Sequence, residues 1–216
     1  MCIRDRNKTV GKGVYLLVSR GVRANLSRSD DFGIARAAIG FTAKNFDKGL
    51  VAPVFWYLLA GLSGALVYSA LAALVWRFGR EGDNAGFAGV MMALEKLMGA
   101  VPSVFAGLLM MAASLPAPGA SPVKALGFMF GKTGRANYER GGAPLSAMAW
   151  ALNVTLGGPW ESLEGHKSKR AWVGPKNASA QINHKHLRRA LIITVTACLM
   201  FLLALCGGYL WGGISS

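Results

Sequence analysis

Four groups of residues have the types and spacing to do chemistry. The first is Asn45-x-Asp47-Lys48, a polar knot directly ahead of a long apolar run. An amide, a carboxylate and an ammonium so close together can hold a polar ligand, and the same residues can serve as a plain helix N-cap. The second is Glu95, a carboxylate beside a membrane-type helix, where ionisable residues commonly mark function. Its simpler reading is a surface pair with Lys96. The third is His184-x-His186, which has a chelating spacing. No Cys or carboxylate lies close by, and Lys185, Arg188 and Arg189 repel cations, so a basic membrane-interface cluster fits better. Lys167, Lys169, Arg170 and Lys176 likewise read as a solvated, lipid-facing face. The fourth is GFMFGKTG, residues 127–134. Three residues separate Gly127 from Gly131 where a nucleotide P-loop has four, and no strand precedes it. It reads as a Gly-rich connector, with room for a local anion nest of backbone amides around 131–134.

The knot opens the element that must position it. Residues 49–76 carry no charge over 28 positions, and a bilayer core needs roughly 20 apolar residues in a helix. Pro53 falls early in the run, where a helix tolerates it or kinks. Gly61, Gly64 and Ala65 set small residues at helical spacing, which suits close packing against another helix. Upstream, Val14, Leu17, Val18, Val22 and Leu26 mark one face of a short amphipathic helix over 10–26, lying on the membrane or packed on the domain. Ser29-Asp30-Asp31 is an N-cap cluster for a second helix through Phe41. Residues 77–86 form a short Gly-rich loop. Residues 87–115 read as helical, with a second span over 97–115 and Pro102 near its start. Pro116, Pro118, Gly119 and Pro122 end it. The last span covers 190–211. Residues 141–160 are also uncharged. Their flanking Gly and Pro leave only about twelve helical residues, which favours a buried or re-entrant helix over a full span.

Composition agrees. The 216 residues are 53% hydrophobic and 16% charged, with a mean hydropathy of +0.36, too apolar for an ordinary soluble domain. The net charge of +14 reads as anchoring to an acidic leaflet. The basic residues are spread over two long segments with no aromatic-studded motif, so no nucleic-acid partner is expected. Before the first span ten Lys/Arg stand against four Asp/Glu, between the first and second three against three, and over 116–189 eleven against three. The positive-inside rule then places the N-terminal part and 116–189 in the cytoplasm, with 77–86 and the C-terminus outside. Any site is expected where the two cytoplasmic segments meet. Cys198 and Cys206 lie about two turns apart in one apolar helix, so they read as packing residues and no disulfide framework is implied. The opening MCIRDR, residues 1–6, fits no helix or strand pattern and is set aside as foreign sequence. The expectation is a single membrane domain over 1–216. It is all-α and polytopic, with about three transmembrane helices plus a buried or re-entrant Ala/Gly-rich helix.

The stretches NFDKGLVAPVFWYLLAGLSGALVY, ERGGAPLSAMAWALNVTLGGP and WVGP resemble the cobinamide synthases of cobalamin biosynthesis (the CobD/CbiB, or adenosylcobinamide-phosphate synthase, family). Asn45, Gly49, Ala52, Pro53, Phe55, Trp56, Gly61, Gly64, Ala65 and Tyr68 fall in register with the first family stretch. Gly142, Pro144, Ala151, Leu152, Leu156, Gly157 and Gly158 fall in register with the second, and Trp172 and Gly174 more loosely with the third. The likeness covers most of 35–205 and reads as the C-terminal two-thirds of a member.

The resemblance implies a multi-pass enzyme of the bacterial inner membrane with its basic segments cytoplasmic. It would join the free carboxylate of adenosylcobyric acid to aminopropanol or its phosphate, with ATP and Mg²⁺. Asn45, Asp47 and Glu95 are then the expected catalytic residues, with Asp47 and Glu95 holding the metal or the amine. Lys48 and Arg140 would pair with phosphate or carboxylate. Trp56, Gly141, Gly142, Gly157 and Gly158 would complete the substrate site, the glycines letting the backbone approach a bulky corrinoid. The lipid bilayer is the other expected partner, and the oligomeric state stays open. Departures from the family pattern are visible. Lys44 stands for a Glu, Lys48 for the Asp before Gly49, apolar 72–75 for a polar segment, Glu95-Lys96 for an Asp pair and Arg140 for an Asn. They support a rival reading, a non-catalytic scaffold or regulator on the same fold. A transporter is a weaker third reading, since no charge lies deep in a span apart from Glu95.

Overall fold

The computed structural model describes residues 18–26, 30–79, 86–127, 134, 136–161, 167–169 and 171–214. In chain order its elements are α1 (Asp31–Phe46), a π-helical turn (Asp47–Val51), α2 (Ala52–Phe78), α3 (Gly86–Ala113), α4 (Pro122–Ala125), a 3-10 turn (Tyr138–Arg140), α5 (Gly142–Leu152), β1 (Pro159–Glu161), β2 (Lys167–Lys169) and α6 (His184–Ile214). Stretches long and apolar enough to cross a membrane are Phe32–Phe78, Gly86–Ala113 and His184–Leu210. The protein is an all-α polytopic membrane protein, and β1 and β2 add only a short antiparallel ladder.

Asp30 starts α1, its Oδ1 accepting the Gly33 N–H at 2.8 Å. The helix runs past the expected end at Phe41. Pro53, with no N–H to donate, then forces an adjustment. The turn before it widens, so that the Ala52 N–H bonds Asp47 O, five residues back. Of the amphipathic helix expected over 10–26, residues 18–22 are helical and those up to 17 lie outside the described residues. Val18 and Val22 pack with Ala24, Leu26 and Ile34, which settles this segment on α1.

The first apolar run is not the single rod expected over 49–76. Ala60 (φ −130°, ψ 16°) and Gly61 (φ 64°, ψ −158°) leave helical geometry. A Cβ on Gly64 would lie 2.8 Å from Trp56 O, whereas an unbroken helix holds residues 56 and 64 about 12 Å apart. The chain therefore doubles back into two arms, 52–59 and 62–78. Gly61 supplies the positive φ that the reversal needs. The return arm ends beside the N-terminal segment. Arg23 Nη1 donates to Trp76 O at 2.7 Å and Arg77 O at 2.6 Å, satisfying carbonyls that the helix end leaves open. Its guanidinium also lies 5.5 Å from the Trp76 ring centroid. Charge counting puts these two segments on opposite membrane faces. The structure sets them side by side, because a hairpin returns where a rod would cross.

Helix α3 has two faces. Glu95, Gly99, Pro102, Ser103, Ala106 and Met110 are buried, while Phe87, Val90, Leu94, Leu97, Val101 and Val104 face outward. Both rows repeat every three or four residues, as one side of a helix does. Pro102 lies well inside this helix rather than near its start, since α3 begins upstream of the span read from hydropathy. Small residues on the buried row let α5 come close. Helix α5 has 11 residues, nine of them buried, and is only about 16 Å long. It is the buried helix expected from 141–160. Ile39, Met110, Met148 and Ile193 join α1, α3, α5 and α6 in one core.

Asn153 ends α5 in the left-handed region at φ 53°, ψ 46°, its N–H reaching Ala149 O and Trp150 O. The side chain is exposed, so Asn153→Val changes mainly the backbone cost. Thermal unfolding in detergent should show a loss of about 1–2 kcal/mol.

Candidate functional site

The π-turn carries Asp47 and Lys48 into the interior, where they meet α3, the return arm of α2 and the 3-10 turn. Lys48 Nζ donates to Glu95 Oε1 at 2.6 Å. The pair is largely removed from water, with side-chain exposures of 22% for Lys48 and 2% for Glu95. The same ammonium lies 4.6 Å from the Tyr138 ring centroid, a cation–π distance. Tyr138 Oη lies 3.3 Å from Tyr68 Oη. Burial pushes the Tyr138 phenol well above its ordinary range, and the Glu95 charge adds in the same direction. It therefore stays neutral and able to donate. Gly99 makes room for it, since a Cβ there would fall inside the Tyr138 side chain.

Asp47 and Ser103 complete the cluster. Among the described residues, Asp47 Oδ1 and Ser103 Oγ are fully buried, and beyond their facing each other at the edge of hydrogen-bonding range neither has a partner. Unsatisfied polar atoms at such depth are uncommon, and they mark a place that a ligand, ion or water would complete. Gly142 packs over the hydroxyl, where a Cβ would lie 2.6 Å from Ser103 Oγ. No set of three or more His, Cys, Asp or Glu that could hold a metal occurs among the described residues.

The other expected site residues are placed as follows. Asn45 is exposed while Asp47 is buried, because positions two apart on a helix point to opposite sides. Glu95 does not form the surface pair with Lys96; it turns inward to Lys48, and Lys96 is exposed. Trp56 Nε1 donates to Met98 O at 3.1 Å and so ties α2 to α3. Lys44, ahead of the knot, donates to Glu139 O at 3.3 Å, which brings the 3-10 turn and Arg140 against the end of α1. Gly141 adjoins the Lys44 side chain. Gly157 and Gly158 lie outside this cluster, and their close approach is to the chain itself: a Cβ would meet Ala171 O at 2.7 Å and the Trp172 ring at 2.5 Å.

Tyr138 and Ser103 were not singled out from the sequence. Ser103 had a legible signal, since it falls two turns after Glu95 on the same face of α3. Tyr138 had none, being one aromatic in a basic region. Away from this cluster, a hollow of about 410 Å³ lies over Gly134, Thr155, Trp172, Gly174 and Lys176. The Arg36 guanidinium lies 5.3 Å from the Trp172 centroid and donates to Ala180 O at 3.1 Å. His186 Nδ1 accepts the Asn183 N–H at 3.2 Å. Most of GFMFGKTG and Lys167, Lys169 and Arg170 are outside the described residues or have undescribed side chains.

A family model described as CobD/Cbib protein matches residues 12–194. The cobalamin biosynthesis protein CobD of Rhodobacter capsulatus is 33% identical over 148 residues, covering 68% of this chain and 46% of that protein. Its namesake from Brucella suis is 32% identical over 150 residues, covering 68% and 45%. One from a Sinorhizobium species is 36% identical over 132 residues, covering 60% and 41%. The chain spans a little under half the length of these relatives. No solved structure matches.

Removing one member of a buried ion pair leaves the other charge uncompensated, at about 3–5 kcal/mol. Lys48→Met should therefore destabilise the protein strongly, and adding Glu95→Leu should recover most of the loss. A double-mutant cycle of unfolding in mixed micelles measures both.

Proposed function

The chain belongs to the CobD/Cbib protein family, and on that premise we propose that it takes part in cobalamin biosynthesis as an amide-forming enzyme of the bacterial inner membrane, its basic segments in the cytoplasm. The substrates in this reading are a corrinoid bearing one free carboxylate, adenosylcobyric acid, and the amine of aminopropanol or its phosphate. The carboxylate is activated with ATP as an acyl phosphate. The amine nitrogen, as the free base, attacks the acyl carbon, the C–O bond to phosphate breaks, and phosphate leaves, taking up the proton that the nitrogen gives up as the amide forms. The observation that carries the reading is the buried cluster around Asp47 and Ser103, whose open polar atoms lie in segments matched by the family.

The two acids take different roles. Glu95 is engaged by Lys48, so its part is to hold that ammonium in place. Asp47 keeps an open oxygen and is the residue that would hold the substrate ammonium or a Mg²⁺ ion. A single carboxylate fits Mg²⁺, which commonly takes one or two protein carboxylates and fills its remaining positions with water and phosphate oxygens. Bound there, the ion would neutralise charge on the phosphates. Ser103 would supply a hydrogen bond at the same place, and Tyr138 with Tyr68 would hold Lys48 against Glu95. The hollow beside Trp172, with Lys176 on its rim and Arg36 behind it, suits an anionic group such as the phosphates of ATP or of aminopropanol phosphate. One observation favours the rival reading of a non-catalytic paralogue: the charge-altered positions Lys44 and Lys48 are both satisfied within the chain, as structural residues would be.

Complementation of a bacterium lacking its own cobinamide synthase, with cobyric acid as the corrinoid source, tests the reading. Growth is the expected result, and product formation by membranes carrying Asp47→Asn should fall about 100-fold with the protein still inserted. Absence of growth with the protein confirmed in the membrane would shift the assignment to the paralogue.

A further inference from the structure

The start of α6 holds a second group of cations that the proposed reaction does not use. A hollow of about 340 Å³ is lined by His184, Lys185, Arg188 and Arg189, with Pro118 and Ile192 as its apolar walls. No acidic residue is among its described lining. Lys185 and Arg189 are four positions apart on one helix, where like charges repel, and Arg188 adds a third cation beside them. The hollow therefore gathers positive charge that an anion would offset. Arg189 is held in place: a Cβ on Gly119 would lie 2.7 Å from its Nη2, so the guanidinium rests flat on the backbone of the loop after α3.

The surroundings select the kind of anion. Arg188 begins a row continued by Leu191, Val195, Leu199 and Leu202, spaced three or four apart along one face of α6. All four leucine and valine side chains are exposed. An anionic head placed in the hollow would thus have an outward apolar track directly below it. A free phosphate has no use for that track, whereas a phospholipid fills both parts. We infer that the hollow formed by Pro118, His184, Lys185, Arg188 and Arg189 is a binding site for the phosphate headgroup of an anionic membrane phospholipid, its acyl chains lying along Leu191, Val195 and Leu199.

Native mass spectrometry of the purified chain in detergent tests this, with phosphatidylglycerol and phosphatidylcholine of identical acyl chains as probes. Phosphatidylglycerol should be retained in preference. Arg188→Gln with Arg189→Gln should lower its occupancy about tenfold or more, and Lys124→Gln, an exposed charge elsewhere on the basic segment, should leave it unchanged. Arg188→Gln alone, at an exposed position, serves if the double variant does not fold. It should show the same loss in part, and unchanged occupancy there overturns the site. Equal retention of the two lipids overturns the site as well. An equal loss in the Lys124 variant would assign the effect to diffuse charge and overturn it too. Displacement of the lipid by millimolar inorganic phosphate would make the hollow a free-anion site and also overturn the proposal.

Discussion

An ion pair sealed between apolar helices has to be matched in place, and the contact between Lys48 and Glu95 is the constraint around which this bundle is arranged. Burying a lone charge costs far more than a single contact recovers. The π-turn therefore has to present Lys48 to α3 at one height only, and Glu95 fixes the rotation of α3 about its axis. With that rotation set, the small-residue row of α3 faces α5 and its large residues face outward. Tyr138 then closes the ammonium from the other side, and Tyr68 holds Tyr138. Each partner comes from a different element, so the cluster exists only when the hairpin, α3 and the 3-10 turn are docked together.

The hairpin at Ala60–Gly61 follows the same logic. A straight helix would carry Tyr68 about 30 Å from Lys48. Reversal brings it back to the level of the knot, within reach of Tyr138. It also returns Trp76 and Arg77 to Arg23, whose side chain closes the helix end. Backbone polar groups exposed at a helix break are expensive in an apolar setting. The break is tolerated because Gly61 takes the positive φ without a Cβ.

Function concentrates where the apolar bundle is interrupted. The open oxygens of Asp47 and Ser103 lie at the π-turn and beside Pro102, two places where proline disturbs regular helical bonding. Widened turns of this kind recur at functional sites because they redirect side chains that a regular helix would point elsewhere. The basic hollow at the start of α6 lies at another boundary, where the helix passes from charged to apolar residues.

Hydropathy, charge and small-residue spacing were sufficient to identify an all-α membrane protein, its apolar segments and the buried helix within 141–160, and they drew attention to Asp47 and Glu95 as polar residues beside those segments. These are local properties: each depends on a residue and its immediate neighbours along the chain. Which residues meet was decided by the tertiary structure alone. Lys48 finds Glu95 47 positions away, Tyr68 finds Tyr138 70 positions away, and Asn45 turns outward although it stands two residues from Asp47. The reversal at Gly61 was also hidden, since a glycine inside an apolar run is as compatible with close helix packing as with a turn. Only the contacts made by both arms select the turn, and no pattern along the chain records those contacts.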